Sequence, residues 1–456
     1  MSKYLVITAF ALILSGCATY YQKNLLFNNS FEAGNFQEAK NILDINKKKL
    51  TKKARSKVLY DLNYATTAFY LGDNHTSIEY FKKADDYNES YSKNFGTEAL
   101  SFITNPSVKP YKMEYFECVL LHFYQALNFI QINDYESAMV ECRKMNLELN
   151  KQADNFKDLD KPRYSQDAFG HYLMGILYEI TKNYNDAFIA YRNAIEIYEN
   201  NYKKLFATNT PSYLKQALIR SAYKTGFIDE VHRLEKLYEY KYFKEPENKG
   251  RLIVFVLEGL SPIKSETIIS FTSVKSEGGS LSFVSDDGVF SFPIFFDLCT
   301  DSERNTLNDL RFFKLALPKY SNRTRKCPQN SSIIIDNSLH NIYNVEDIEK
   351  IAHQSLQDRI WKELGSSIIR VALKNAVSKY ASEKNEYVGF LLDITNAITE
   401  KADTRNWQTI PAQIKILDIP INEGQHSIMY QSCGNQYKLN INTKVNNTSF
   451  AIIKAY

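Results

Sequence analysis

The 456-residue chain lacks the signatures of the commoner catalytic sites. It has no Gly-rich phosphate loop, no dinucleotide fingerprint and no Gly-x-Ser-x-Gly elbow. Its histidines, His75, His122, His171, His232, His340, His353 and His426, are scattered, none in a His-Glu-x-x-His or similar spacing. These absences argue against a metal hydrolase, a nucleotide-dependent enzyme or a serine esterase, and no cofactor is expected. Ser261-Pro262-Ile263-Lys264, Ser285-Asp286 and Lys224-Thr225-Gly226 imitate the motifs of penicillin-binding serine enzymes. Their order is wrong, however, and the second lacks its Asn. Charge of one sign is also scarce. The net charge is +4, and the concentrated basic block is Lys47-Lys48-Lys49 with Lys52-Lys53. Nucleic-acid binding, which needs a basic face, is therefore not expected. The block reads as a solvated helix end, with contact to acidic head groups as the alternative. Apolar runs are short too. Tyr4 to Leu14 and Val388 to Ile398 each fall well below the roughly 20 residues of a membrane span. The second, interrupted by Asp393 and Asn396, reads as a core helix.

What is present begins at the amino terminus. One cation, Lys3, precedes the apolar run, which closes in Leu14-Ser15-Gly16-Cys17. This is the layout of an export signal. The tetrapeptide resembles the lipobox of bacterial lipoproteins. The resemblance implies removal of residues 1–16, acylation of the Cys17 thiol with diacylglycerol, and acylation of its new amino group. One acyl chain binds a bilayer marginally, whereas two or three hold stably. Ala18, where an aspartate would favour the inner membrane, implies the outer membrane, facing the periplasm. With 44% hydrophobic and 24% charged residues, the mature chain suits two or three globular domains.

Five further cysteines face an oxidising compartment. Cys118 and Cys142 are expected to be buried and unbridged, since their helix positions are offset by about 7 Å along the axis in addition to the helix separation. Cys299 with Cys327 is a candidate bridge, the pairing of Cys299, Cys327 and Cys433 being open.

Residues 17–245 read as helix pairs punctuated by a short recurring segment. The copies are Gly34-Asn-Phe-Gln-Glu-Ala39, Gly72-Asp-Asn-His-Thr-Ser77, Asn133-Asp-Tyr-Glu-Ser-Ala138, Lys182-Asn-Tyr-Asn-Asp-Ala187 and Gly226-Phe-Ile-Asp-Glu-Val231. Each resembles the turn of a tetratricopeptide repeat. The first residue lets one helix end, the next caps the following helix, and the last is small enough for close helix approach. The fourth copy, with Gly175, Tyr178, Tyr191 and Ala194, is the fullest. The spacing varies between 38 and 61 residues, which predicts an irregular array. Such arrays are platforms for proteins or peptides. The long step, around Asn88 to Lys112 with Pro106 and Pro110, is expected to hold extra helix or loop.

Pro246 and its polar neighbours mark a boundary, and residues 250–456 read as an α+β domain. Strands are expected at Leu252–Leu257, Thr267–Phe271, Ser280–Val284, Val289–Phe296, Ile333–Ile335, Ile414–Ile419, His426–Tyr430, Tyr437–Ile441 and Phe450–Ile453. A helical insertion is expected between about Val345 and Lys384, with Leu356, Ile360, Leu364 and Ile368 on one face. The fold class is thus multidomain: an all-α TPR-like array, then a mainly antiparallel, β-sandwich-like α+β domain. Ile419 to His426 reads as a hairpin connection.

Leu252 to Lys264, Ala402 to Pro411, and Glu117 with Glu141-Cys-Arg143 resemble passages of a little-characterised family of TPR-containing bacterial lipoproteins, which implies the architecture but no activity. Asp403, Arg405 and Trp407 alternate in an extended stretch, so an Asp–Arg pair beside an indole either organises a loop or forms a partner hot spot. Glu117, Glu141 and Arg143 either line a groove between helices or form an internal ionic network. The expected role is a non-enzymatic scaffold or binding protein of the envelope, held by its lipid to the membrane, with other envelope proteins as partners. The alternative is an envelope enzyme or ligand-binding protein acting on cell-wall or glycan material through Asp403, Glu258 and His426.

Overall fold

Five residues with left-handed backbone set the layout of the helical half. Gly34, Gly72, Asn133, Lys182 and Gly226 all have φ between 61° and 88°, and each opens one of the recurring segments. In the computed structural model, residues 19–52, 54–95, 109–154, 163–243, 248–275, 281–288, 291–294, 312–323, 332–360, 364 and 401–455 are described. The expectations for Cys17 and the signal, Pro106, Pro246, Cys299, Cys327, Ile368 and Val388–Ile398 lie outside them.

The turns join α1 (Leu25–Glu32) to α2 (Phe36–Thr51), α3 (Ala54–Leu71) to α4 (Asn74–Phe95), and α5 (Tyr115–Gln131) to α6 (Tyr135–Asp154). They also join α7 (Ala168–Ile180) to α8 (Tyr184–Ile197), and α9 (Ser212–Thr225) to α10 (Ile228–Tyr238). Asp73 and Asp134, just after two of the left-handed residues, accept the backbone N–H of Thr76 and Ser137 at 3.1 and 3.0 Å. Each satisfies an orphan donor of the next helix. Asn35 and Asn183 make no such cap bond. The small positions Ala39, Ser77, Ala138 and Ala187 are fully buried. Packing is closest in the fourth pair, where a methyl group on Gly175 would lie 2.3 Å from the Tyr191 ring. Cys118 and Cys142 are buried free thiols, while Cys433 is disulfide-bonded.

Twelve strands follow, among the described residues, in three four-stranded sheets. The first has the order β12 (Thr448–Ala455), β1 (Lys249–Glu258), β9 (Gln413–Asn422), β8 (Tyr343–Asp347). The β1–β12 pair is parallel and the others antiparallel. The second has the order β11 (Asn435–Thr443), β10 (Gly424–Ser432), β6 (Ser332–Ile335), β7 (Ser338–Asn341). The third has the order β4 (Ser291–Ile294), β3 (Leu281–Ser285), β2 (Ile263–Lys275), β5 (Phe312–Ser321). A helix begins at residue 348, where Asp347 accepts the Lys350 N–H, and is described as far as 360.

Strand β1 explains the layering. Ile253, Phe255 and Leu257 join the core of the helical array, while Leu252, Val254 and Val256 join a second core shared with the second sheet. Side chains alternate across a strand, so the first sheet is buried on both faces. The helices, the first sheet and the second sheet therefore form successive layers, and the chain boundary near residue 248 is not a boundary of packing. One expectation is corrected here. β9 and β10 do not pair as a hairpin; the chain passes from the first sheet to the second at Asn422–Gly424, with Gly424 at φ +136°.

Candidate functional site

Glu117, Lys264 and the loop around Trp407, taken from the passages that carry the family resemblance, meet at one buried seam between the helices and the sheets. At its centre is Glu117, fully buried in the first turn of α5. One carboxylate oxygen accepts the Tyr111 hydroxyl at 2.6 Å and the Glu114 N–H at 3.0 Å. The other accepts the backbone N–H of Trp407 at 2.8 Å. A loop 290 residues away is thereby fastened to the start of a helix. Beside it, Glu114 is paired with Lys264 and, at 2.7 Å, with Arg359. Burial opposes the Glu114 charge, but the two cations outweigh it and hold its carboxyl below the usual range. Burial and the neighbouring Glu114 charge push Glu117 the other way.

Trp407 is fully buried, its ring packed against Phe81 and Tyr124 with centroids 5.7 Å away in each case. Its indole N–H donates to Thr66 at 3.1 Å and to Thr409 at 2.9 Å. Arg405 forks onto Asp403 at 2.8 and 2.6 Å, donates to the Lys109 carbonyl at 3.0 Å, and lies over the Tyr111 ring. Asn406 ties the Lys264 N–H to the Pro262 carbonyl. Asp403, Arg405 and Trp407 thus organise the loop from 401 to 412 and dock it on the first helices α3 and α5. A buried indole is not reachable by a partner, and the loop-organising alternative is the one this geometry fits.

Glu141 and Arg143 are not brought to this place. Glu141 meets His122 at 2.7 Å and Lys144 at 3.3 Å, and Lys144 also reaches Asp85 at 3.0 Å. Arg143 is exposed and donates to the Tyr178 hydroxyl at 3.2 Å. Residues 117, 141 and 143 therefore line no common groove. Neighbouring positions on a helix point in different directions, and Glu117 faces the sheets whereas Glu141 faces His122. The residues named for the enzymatic alternative are also separate. Glu258 holds Lys415, the Tyr430 hydroxyl at 2.7 Å and Ser432. His426 meets Asp336, whose side chain is 47% exposed, at a strand turn rather than in a pocket. Among the described residues no His, Cys, Asp and Glu group could hold a metal ion, and no helix is long and apolar enough to cross a membrane.

Two further clusters lie at the seam, and among their residues Asp167 alone has a local sequence signal. Glu179 accepts Arg220 at 2.6 and 2.8 Å and Arg251 at 2.8 Å, and Arg251 also forks onto Asp418. Burial works against the Glu179 charge, but Arg220 and Arg251 dominate and hold its carboxyl far below the usual range. The second cluster is acidic. Asp167 accepts the Tyr164 hydroxyl at 2.7 Å and caps α7 through Gly170, while Glu346 accepts the Tyr202 hydroxyl at 3.1 Å. Both acids line a small gap walled by Phe116, Phe123, Phe169 and Ile351. Burial raises both carboxyls, Glu346 well above its ordinary range with Asp167 as the second cause. The capping position before α7 was a usable signal for Asp167.

Most of these contacts use the first helix of each pair: Asn63, Thr66 and the carbonyls of Phe69 and Tyr70 on α3, Glu117 and Tyr124 on α5, Glu179 on α7, Arg220 on α9; Phe81 on α4 and Tyr202, just beyond α8, also reach the seam. The sheets cover the face that these helices make.

No protein-family model matches the chain, and no curated protein matches it. Among solved structures, it is similar to a MamA protein, with 16% identity, covering 49% of this chain and 96% of that one, at a TM-score of 0.29. The apo form of RapI is 18% identical, covering 51% and 57%, at 0.35. A putative kinesin light chain with TPR-like repeats from Podosopora anserina is 14% identical, covering 47% and 91%, at 0.30.

Proposed function

We propose that this chain is a lipid-anchored bacterial envelope protein that binds or scaffolds other envelope proteins without catalysing a reaction. Leu14-Ser15-Gly16-Cys17 supports the anchor, and Ala18 supports the outer membrane facing the periplasm. The observation that carries the binding role is where the helical half leaves apolar side chains uncovered. Val140, Leu147, Ile189 and Leu237 are exposed on second helices, whereas the exposed Leu71 and Tyr223 of first helices stand at or near their helix ends. The first-helix face is already filled by the chain's own loop and sheet, so a partner meets the second helices. Large aliphatic side chains repeated along one face of a stacked array suit a protein partner.

The test places a photo-cross-linking residue at Val140, Leu147 or Leu237 in cells, with position 407 as the buried control. Discrete adducts with envelope proteins at the first three positions are expected. A membrane-fractionating protein that gives none there would rule the binding role out. The anchor is tested separately by uptake of a palmitate analogue, which Cys17→Ala should abolish.

A further inference from the structure

The end of the helical half nearest the amino terminus carries a charge asymmetry that the fold turns into a surface. Residues 40–57 hold eight cations and one carboxylate, in a chain whose net charge is only +4. That carboxylate, Asp44, is paired with Lys40 at 3.1 Å. Lys47, Lys48, Lys49 and Lys52 are exposed and form no ion pair among the described residues. They occupy the last turn of α2 and its end. Helix α1 runs antiparallel to α2 around Gly34, so Leu25 and Ile45, about nine and eleven residues from that turn, come to nearly the same level at about 1.5 Å per residue. Leu26 is 75% exposed and Ile45 83%. Exposed Lys23 ends the helical turn just before Leu25. Bulky apolar side chains and unpaired lysines therefore share one end of the molecule.

We infer that this end is a docking face for a bilayer rich in anionic phospholipid. Leu26 and Ile45 enter the headgroup layer, and the lysines lie over the lipid phosphates. This pairing of apolar insertion with cationic attraction is what holds amphipathic segments at membrane interfaces. The attraction acts within about one Debye length, roughly 8 Å at physiological salt, so only lysines on the docking end contribute. The inference goes beyond the proposed anchor and stands without acylation at Cys17.

The experiment uses the full chain carrying Cys17→Ala, co-sedimented with vesicles of phosphatidylglycerol and phosphatidylcholine, or of phosphatidylcholine alone. Each lysine at an anionic surface strengthens binding by about fivefold. A preference of about a hundredfold for the anionic vesicles is therefore expected at low salt, erased by K47Q/K48Q/K49Q and by high salt. Leu26→Ser with Ile45→Ser should weaken binding to both vesicles. K182Q/K204Q/K236Q, which removes exposed lysines elsewhere, should change nothing. Equal binding to both vesicles, or equal loss in the two triple variants, overturns the inference. Either result leaves the lipid-anchor reading standing, since that is decided by palmitate uptake.

Discussion

Glu179 and Glu346 are both glutamates buried where the helical array meets the first sheet, yet their surroundings push their carboxyls in opposite directions. Glu179 lies between Arg220 and Arg251, and Arg251 passes the pairing on to Asp418. Glu346 has Asp167, Asp347 and the Tyr202 hydroxyl for neighbours, with no cation paired to it among the described residues. Burial costs either group several kcal/mol if it is charged and alone. At Glu179 the guanidinium groups offset that cost, and the carboxylate stays ionised. At Glu346 the Tyr202 hydroxyl offsets only part of it, and burial with the Asp167 charge raises the carboxyl well above its ordinary range. One part of the seam is thus held by ion pairs, the other by tyrosine hydroxyls donating to carboxyl groups.

The largest way to break this contrast is Arg251→Ala. It strips Glu179 and Asp418 of a shared partner and should cost about 3–5 kcal/mol in urea denaturation. Glu346→Ala should cost less, because it removes a tyrosine hydrogen bond and strands no buried guanidinium.

The pH dependence sharpens the comparison. The folded Glu179 carboxyl is held below its unfolded value, so its stabilisation is complete above roughly pH 4.3 and is lost as pH falls through the folded value. Glu346 is raised, so its favourable contribution is complete below roughly pH 4.3 and is lost as pH rises toward its folded value. Glu346→Gln keeps the shape without the ionisation. The variant should gain stability relative to the wild type as pH is raised from 5 to 8.5, read as a rising difference in urea midpoints. A constant difference would mean Glu346 is already ionised in the folded protein.

The smallest effect concerns the turns. Lys182 at φ 61° sits where Gly stands in three of the other copies. Lys182→Gly should stabilise the protein by up to about 1 kcal/mol in thermal unfolding. The same substitution at Lys203, which is helical, should destabilise by a similar amount.

Such turns are where the sequence is most legible. A left-handed residue, a polar neighbour and a small residue five positions on are local demands, and all five segments meet the first of them. Strand β1 was legible too, as an unbroken apolar run, because both its faces are buried. Strand β5 is less so, since Lys314, Pro318 and Lys319 interrupt its apolar pattern. The change of sheet between β9 and β10 has no local cause, and Ile419 to His426 looks like any hairpin turn. The seam was half visible. Asp403 and Arg405 are two residues apart and pair as their spacing suggests. The Glu117 contact with Trp407 spans 290 residues and Glu179 with Arg251 spans 72, so only the tertiary fold brings them together. A tryptophan and an arginine in an extended stretch read equally well as a hot spot or as a buried clasp, and burial alone distinguishes the two.

The parallel pairing of β1 with β12 has a consequence for how the molecule is made. Arg251 to Glu258 align with Thr448 to Ala455, so roughly 190 residues must emerge before β1 gains that neighbour, and such distant pairing is slow to form. During synthesis the helices come out before the strands, with the face destined for the sheets uncovered. Lys454, the cation that closes the end of α3 through the Phe69 and Tyr70 carbonyls, follows them by 385 and 384 residues. Until β12 is made, the edge of β1 that it covers stays open.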